Sequence, residues 1–146
     1  RIMSLKDGHK KMSKSEVSDL SRINLTDDKD KIINKIKKAK TDTLPLPSKI
    51  EELEKRPEAK NLIGIYSSLM NYTLQKSIDE FAGKNFSEFK EKLSDIVVNE
   101  INPISLKIKE LLDDKDFLEK ILKDGYEKAN EIASKKIKKI HEIVGF

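Results

Sequence analysis

At 146 residues the chain can build one domain with a core but not two comfortable ones, and its 38% charged, 36% hydrophobic and 5% aromatic residues suit small helices with narrow apolar stripes, not an all-β fold. The formal net charge of +4 and pI near 9.0 permit contact with nucleic acid or an anionic surface, yet 26 acidic residues exclude a uniformly basic binding face, and the bias to lysine (27 of 30 basic residues) is partly compositional, in keeping with an A- and T-rich genome. The absence of cysteine excludes disulfides and thiolate metal sites, His9 and His141 read as ordinary exposed histidines and not as a metal centre, and no apolar run approaches the roughly 20 residues that span a bilayer, so a soluble, intracellular protein is expected.

Residues 1–5, "RIMSL", alternate apolar and polar and predict a short strand. A single strand cannot satisfy its own ladder, so the chain is expected to be a fragment of a larger protein whose remaining strands lie outside it. "KDGHKKMSKSEVSD" follows as a polar, glycine-containing loop. Helical periodicity then takes over. Asp27 or Asp28 can cap a helix that carries Ile32, Ile33, Ile36 and Ala39 on one stripe, with Lys35, Lys37, Lys38 and Lys40 toward the negative end of its dipole. The prolines of "TDTLPLPSK" stop that helix, "IEELEKRP" predicts a short helix or turn, and Pro57 is placed to begin the next one.

Leu62, Ile63, Ile65, Tyr66, Leu69 and Met70 give that next helix a face broad enough for a central core position. Ser77, Ile78 and Phe81 belong to a short helix ended by Gly83. A further helix is expected to bury Phe86, Phe89, Leu93, Ile96 and Val97, with Ser87 as its N-cap. Pro103 is expected to restart the chain into a helix bearing Ile104, Ile108, Leu111 and Leu112; "DDKDFLEKILKDG" forms another, and residues 126–143 a long last one with Ala129, Ile132, Ala133, Ile137 and Ile140 inward. The fold class expected is therefore all-α, an irregular bundle of about six or seven helices over residues 23–146, preceded by a remnant strand and loop over residues 1–22. The aromatic and methionine positions of the stripes read as core, not as a cofactor box.

Chemistry concentrates in Lys11-Met12-Ser13-Lys14-Ser15. Two ammonium groups three residues apart, which a turn can point to one side, and two hydroxyls beside exposed backbone N–H groups form a donor cluster with no carboxylate inside the pentapeptide. Such a cluster suits a polyphosphate whose charge is growing, as when pyrophosphate leaves an ATP α-phosphoryl group. A mobile loop can also reserve its strongest contacts for the transition state.

"KMSKS" resembles the second signature of class I aminoacyl-tRNA synthetases, and its surroundings resemble the bacterial-type tryptophanyl-tRNA synthetases in particular: "RIMSLKD", "INLTDD", "KIKKAKTDT", "NLIGIYSSL", "FKEKLSDIVVNEINPI" and "GYEKANEIASKKIKKI" occur in that family's order along nearly the whole chain. The resemblance implies ATP-dependent activation of tryptophan, with Mg²⁺ accompanying the ATP, and transfer to tryptophan tRNA. It implies that Ile2 contacts adenine through its backbone, that Lys11, Met12, Ser13, Lys14 and Ser15 bind ATP, and that Lys11 and Lys14 stabilise the leaving pyrophosphate. It further implies that residues 1–22 end a Rossmann catalytic domain, that residues 23–146 form a helical anticodon-binding domain, and that the complete enzyme dimerises through its catalytic part. Gly8 replaces a proline common in the family, and Glu16-Val17 replace an aspartate and proline. The first class I signature, the tryptophan pocket and the ribose-binding residues fall upstream of Arg1 in the family's order, so this chain alone is expected to be inactive.

Lys135, Lys136, Lys138 and Lys139 on the last helix are candidate tRNA contacts, against the ordinary alternative of a solvated face. Other readings are a tyrosyl-type relative, a free-standing helical nucleic-acid-binding module and a ligand-free bundle. The expected compartment is a bacterial cytoplasm or an organelle matrix.

Overall fold

The computed structural model describes residues 1–145. Among the described residues five α-helices follow one another: α1 (Lys29–Lys37), α2 (Pro57–Leu69), α3 (Leu74–Phe81), α4 (Phe86–Asp113) and α5 (Lys115–Val144), with 3₁₀ turns at Asp19–Ser21 and Ile50–Lys55. The all-α class holds. The expected strand over residues 1–5 is reduced to a single antiparallel bridge between Met3 and Lys11, because among the described residues no further strand is present to extend the ladder. The chain divides into two compact units, Arg1–Leu106 and a second that begins at Lys107.

In the first unit Asp28 caps α1, its carboxylate accepting from the Lys31 N–H at 2.9 Å. Ile32 and Ile36, one turn apart, are buried. The helix's C-terminal end is capped from outside: Lys90 of α4 donates to the carbonyls of Ala39 at 2.7 Å and Lys37 at 3.2 Å. Burial holds the Lys90 ammonium below its ordinary value. Pro57 opens α2, which buries Ala59, Leu62, Ile63 and Tyr66. The Thr73 hydroxyl caps α3, and Gly83, at φ +72°, takes the left-handed conformation just beyond it. At α4 the cap is Asn85 and not Ser87, the Asn85 amide oxygen accepting from the Glu88 N–H at 2.9 Å. Phe86, Phe89, Leu93 and Val97 then face the core, where Phe81 meets Tyr66 and Phe89 edge to face and Tyr66 lies tilted against Phe89, with centroids 4.9–5.7 Å apart.

The stretch 44–56 is held by Arg56. Its guanidinium forks onto the Asp42 carboxylate at 2.7 and 2.9 Å and donates to the Pro45 carbonyl at 2.8 Å. Burial raises the Asp42 pKa, but the arginine and the Leu44 N–H outweigh it and hold the carboxyl below its ordinary value.

Three further expectations are corrected. Pro103 does not restart the chain: α4 runs through it, since the packed stripe from Phe86 to Val98 has already fixed the helix direction and proline removes only one N–H bond. Residues 115–144 likewise form one helix through Gly125, none of whose residues is buried. Ala129, Ile132, Ala133, Ile137 and Ile140 are thus exposed, as are Ile104 and Leu112. The stripe has helical period, but a single helix and the end of another cannot enclose a core.

Candidate functional site

The Lys11–Ser15 turn grows out of the bridge at Met3 and Lys11, where the Ser4 N–H donates to the Lys10 carbonyl at 2.7 Å and the Met12 N–H donates to the Ile2 carbonyl at 3.2 Å. Met12 packs partly against the core. Beyond it the turn closes on itself: the Ser13 and Ser15 hydroxyls lie 3.0 Å apart, and the Glu16 N–H donates to the Ser13 carbonyl at 3.4 Å. Lys11 and Lys14 are exposed, and neither is in an ion pair among the described residues. The five residues of the pentapeptide thus share one turn, with Ser13 and Ser15 in contact and both lysines exposed. Their donor set, two uncompensated ammonium groups flanked by two hydroxyls, fits a polyphosphate.

The leg before the turn is fixed by a residue that sequence reasoning did not single out. Asn61, buried on α2, pairs with Met3 as a neighbouring strand would: the Met3 N–H donates to its Oδ1 at 2.8 Å, and its Nδ2 donates to the Met3 carbonyl at 2.9 Å. An asparagine directly before the apolar pair Leu62-Ile63 was the available signal. Ile2, half-exposed, lies with Met3, Lys60, Asn61 and Gly64 in the wall of an open cleft of about 410 Å³. Gly8 lets the loop lie directly on the first turn of α2, and Lys40 pairs there with Glu58 at 2.9 Å.

The leg after the turn is fixed by charge. Lys35, read from the sequence as one of four lysines toward the negative end of the α1 dipole, is buried, with its Nζ 2.6 Å from Asp27 and 2.8 Å from Asp19. Its spacing from Ile32 and Ile36 placed it on the buried stripe, and only its charge argued otherwise. Lys35 and Asn24 hold the Asp19 carboxyl below its ordinary value. Asp27, the other candidate cap, is thus occupied with Lys35 and with the Asn24 N–H at 2.8 Å.

The four lysines of the last helix lie in the second unit and are exposed; Lys135 is paired with Glu131 one turn earlier, at 2.7 Å. Among the described residues no helix is long and apolar enough to cross a membrane.

A family model described as class I tRNA synthetases (W and Y) matches residues 1–109. The tryptophan–tRNA ligase of Agrobacterium fabrum is 51% identical over 146 residues, which cover 100% of this chain and 41% of that protein. That of Rickettsia felis is also 51% identical over 146 residues, covering 100% of this chain and 44% of its own length. The crystal structure of tryptophanyl-tRNA synthetase from Mycoplasma pneumoniae matches with a TM-score of 0.71 at 24% identity, over 100% of this chain and 44% of that one, a likeness of fold. The chain thus spans less than half the length of these relatives.

Proposed function

The chain belongs to the class I tRNA synthetases of the W and Y group, and on that premise we propose that it is the C-terminal portion of a tryptophan–tRNA ligase, supplying the ATP-pyrophosphate grip and a helical surface for tRNA. The complete enzyme activates tryptophan with ATP and charges tryptophan tRNA, in a bacterial cytoplasm or an organelle matrix, as a dimer formed through its catalytic part. The functional boundary in this reading falls between residues 22 and 23.

One observation carries the assignment: a turn holding two uncompensated lysines stands on two anchored legs, so its ammonium groups are free to move while their base is fixed. Lys11 and Lys14 hold the pyrophosphate as it leaves, the Ser13 and Ser15 hydroxyls donate to its oxygens, and Ile2 offers backbone to the adenine. Magnesium arriving with ATP neutralises phosphate charge when bound. Because these contacts strengthen as the α–β phosphoryl bond breaks, they act on the rate more than on binding of tryptophan.

The test is tryptophan-dependent pyrophosphate exchange by the full-length enzyme. Changing Lys11 and Lys14 together to alanine should lower kcat by about 100-fold or more with a modest change in the KM for tryptophan. Normal exchange by that variant would remove the assignment. For the tRNA surface, including Lys135, Lys136, Lys138 and Lys139, binding should favour a tryptophan-tRNA anticodon stem-loop over a scrambled one and weaken steeply with salt. Equal binding of both stem-loops would favour a general nucleic-acid-binding module.

A further inference from the structure

We propose that Arg22 is a positioning residue for the Lys11–Ser15 turn: its guanidinium holds the backbone just after the turn and thereby sets where Lys14 stands. The inference rests on the reading of that turn as the pyrophosphate grip.

From Ser13 to Ser15 the turn's hydrogen bonds are made within itself and to Glu16. Its direction is therefore set where the chain is next gripped. That point is Glu16, whose carbonyl accepts from Arg22 Nη1 at 2.9 Å; the same nitrogen reaches the Ser18 carbonyl at 3.4 Å. The guanidinium is in turn oriented on its other edges, with Nε donating to Asn24 Oδ1 at 3.1 Å and Nη2 lying 3.3 Å from Asp19 Oδ1. Asn24 Nδ2 also donates to Asp19 at 3.1 Å, and Asp19 is tied to Lys35 of α1 at 2.8 Å. A continuous chain of bonds thus runs from the backbone behind Lys14 to a buried lysine in the helical core. The Arg22 side chain itself is only 17% exposed, which limits the arc it can sweep.

A planar fork with donors on three edges can satisfy two carbonyls, an amide oxygen and a carboxylate together, and a lysine cannot. Without it Glu16 loses its fixed direction, and the segment carrying Lys14 samples a wider arc. Displacement of about 1 Å at a group that acts on the transition state lowers a rate by up to about 100-fold.

The test is a double-mutant cycle in the full-length enzyme, read by pyrophosphate exchange. Arg22→Met alone should lower kcat by about 10- to 100-fold, leave the KM for tryptophan within about twofold, and keep wild-type helicity by circular dichroism. Combined with Lys14→Ala it should add less than about threefold to the loss caused by Lys14→Ala alone, because a misplaced group that is absent cannot be misplaced further. Losses that multiply in the double variant would mean a general structural role and overturn the proposal. Wild-type kcat for Arg22→Met beside a slow Lys14→Ala would overturn it while leaving the grip itself intact. Wild-type kcat for the variant with both Lys11 and Lys14 changed to alanine would remove the grip, and this inference with it. Should Arg22→Met fail to fold, Asn24→Ala, which removes the acceptor of Nε and the amide's own bonds to Asp19 and Asp27 but leaves the Arg22 contact to the Glu16 carbonyl in place, enters the same cycle with a smaller expected loss and the same requirement of non-additivity.

Discussion

At Gly8 two backbones touch. A β-carbon built there would stand 2.5 Å from the carbonyl carbon of Pro57 and 2.7 Å from the nitrogen of Glu58, and neither atom belongs to a side chain that could turn away. Gly8→Ala is therefore expected to lower unfolding free energy by about 1–3 kcal/mol in urea titrations, as overpacking does, and an unchanged midpoint would mean that the loop and α2 separate easily. Glu58, in the same contact, gives a pH signature. Lys40 is the largest influence, and with the backbone N–H groups of Glu58 and Gly8 it outweighs burial and holds the Glu58 carboxyl below its ordinary value of 4.5. The folded state then binds fewer protons than the unfolded state in that range, so the pair's contribution is present above about pH 4.5 and is lost as pH falls through the lower folded value. Glu58→Gln should accordingly flatten the acid limb of stability against pH below about pH 4.5, and equal slopes for both proteins would show the pair to be inert.

Among the elements, the attachment of the first segment to α2 is the most exposed to test. Asn61→Ala removes both partners of the Met3 backbone and leaves a part-buried N–H and C=O unpaired, which costs about 1–3 kcal/mol. Its distinctive consequence is local: protease cleavage within residues 1–12 should quicken at least about tenfold while the helical core unfolds nearly as before, and uniform weakening would instead make the segment part of the core. Asn61 also marks the limit of what the sequence discloses. Apolar period and capping chemistry made α1, the start of α2 and α3 readable, because Ile32 and Ile36, Pro57, and Ile78 with Gly83 act on their own neighbours. The pentapeptide was readable for the same reason. What lay beyond reach depends on distant partners. The Lys35 charge is acceptable inside only because Asp19 and Asp27 converge on it, and Lys90 caps α1 from a helix more than 50 residues away. Pro103 and Gly125 illustrate the opposite error, where a local breaker is overridden by the helix around it.

Across the chain, burial and chemistry are unevenly shared. Every member of the buried apolar cluster lies between Leu5 and Val98, and every part of the proposed grip and its supports lies between Ile2 and Asn61, whereas α5 contributes no buried residue to either. Cooperative stability follows apolar area removed from water, so the unit ending at Leu106 should carry nearly all of it. Helical hydrogen bonds alone leave a segment marginal, and α5 has little else to hold it. Hydrogen exchange should therefore separate the two: amides of α5 are expected to exchange at least about 100-fold faster than those of α2 around Leu62 to Tyr66, the former by local opening and the latter only by global unfolding. Ending the chain after Asp113 should then change the unfolding free energy of the remainder by no more than about 1 kcal/mol. Matching protection factors in α2 and α5, or a large loss on truncation, would place α5 within the cooperative unit and require its apolar stripe of Ile132, Ile137 and Ile140 to be covered in solution.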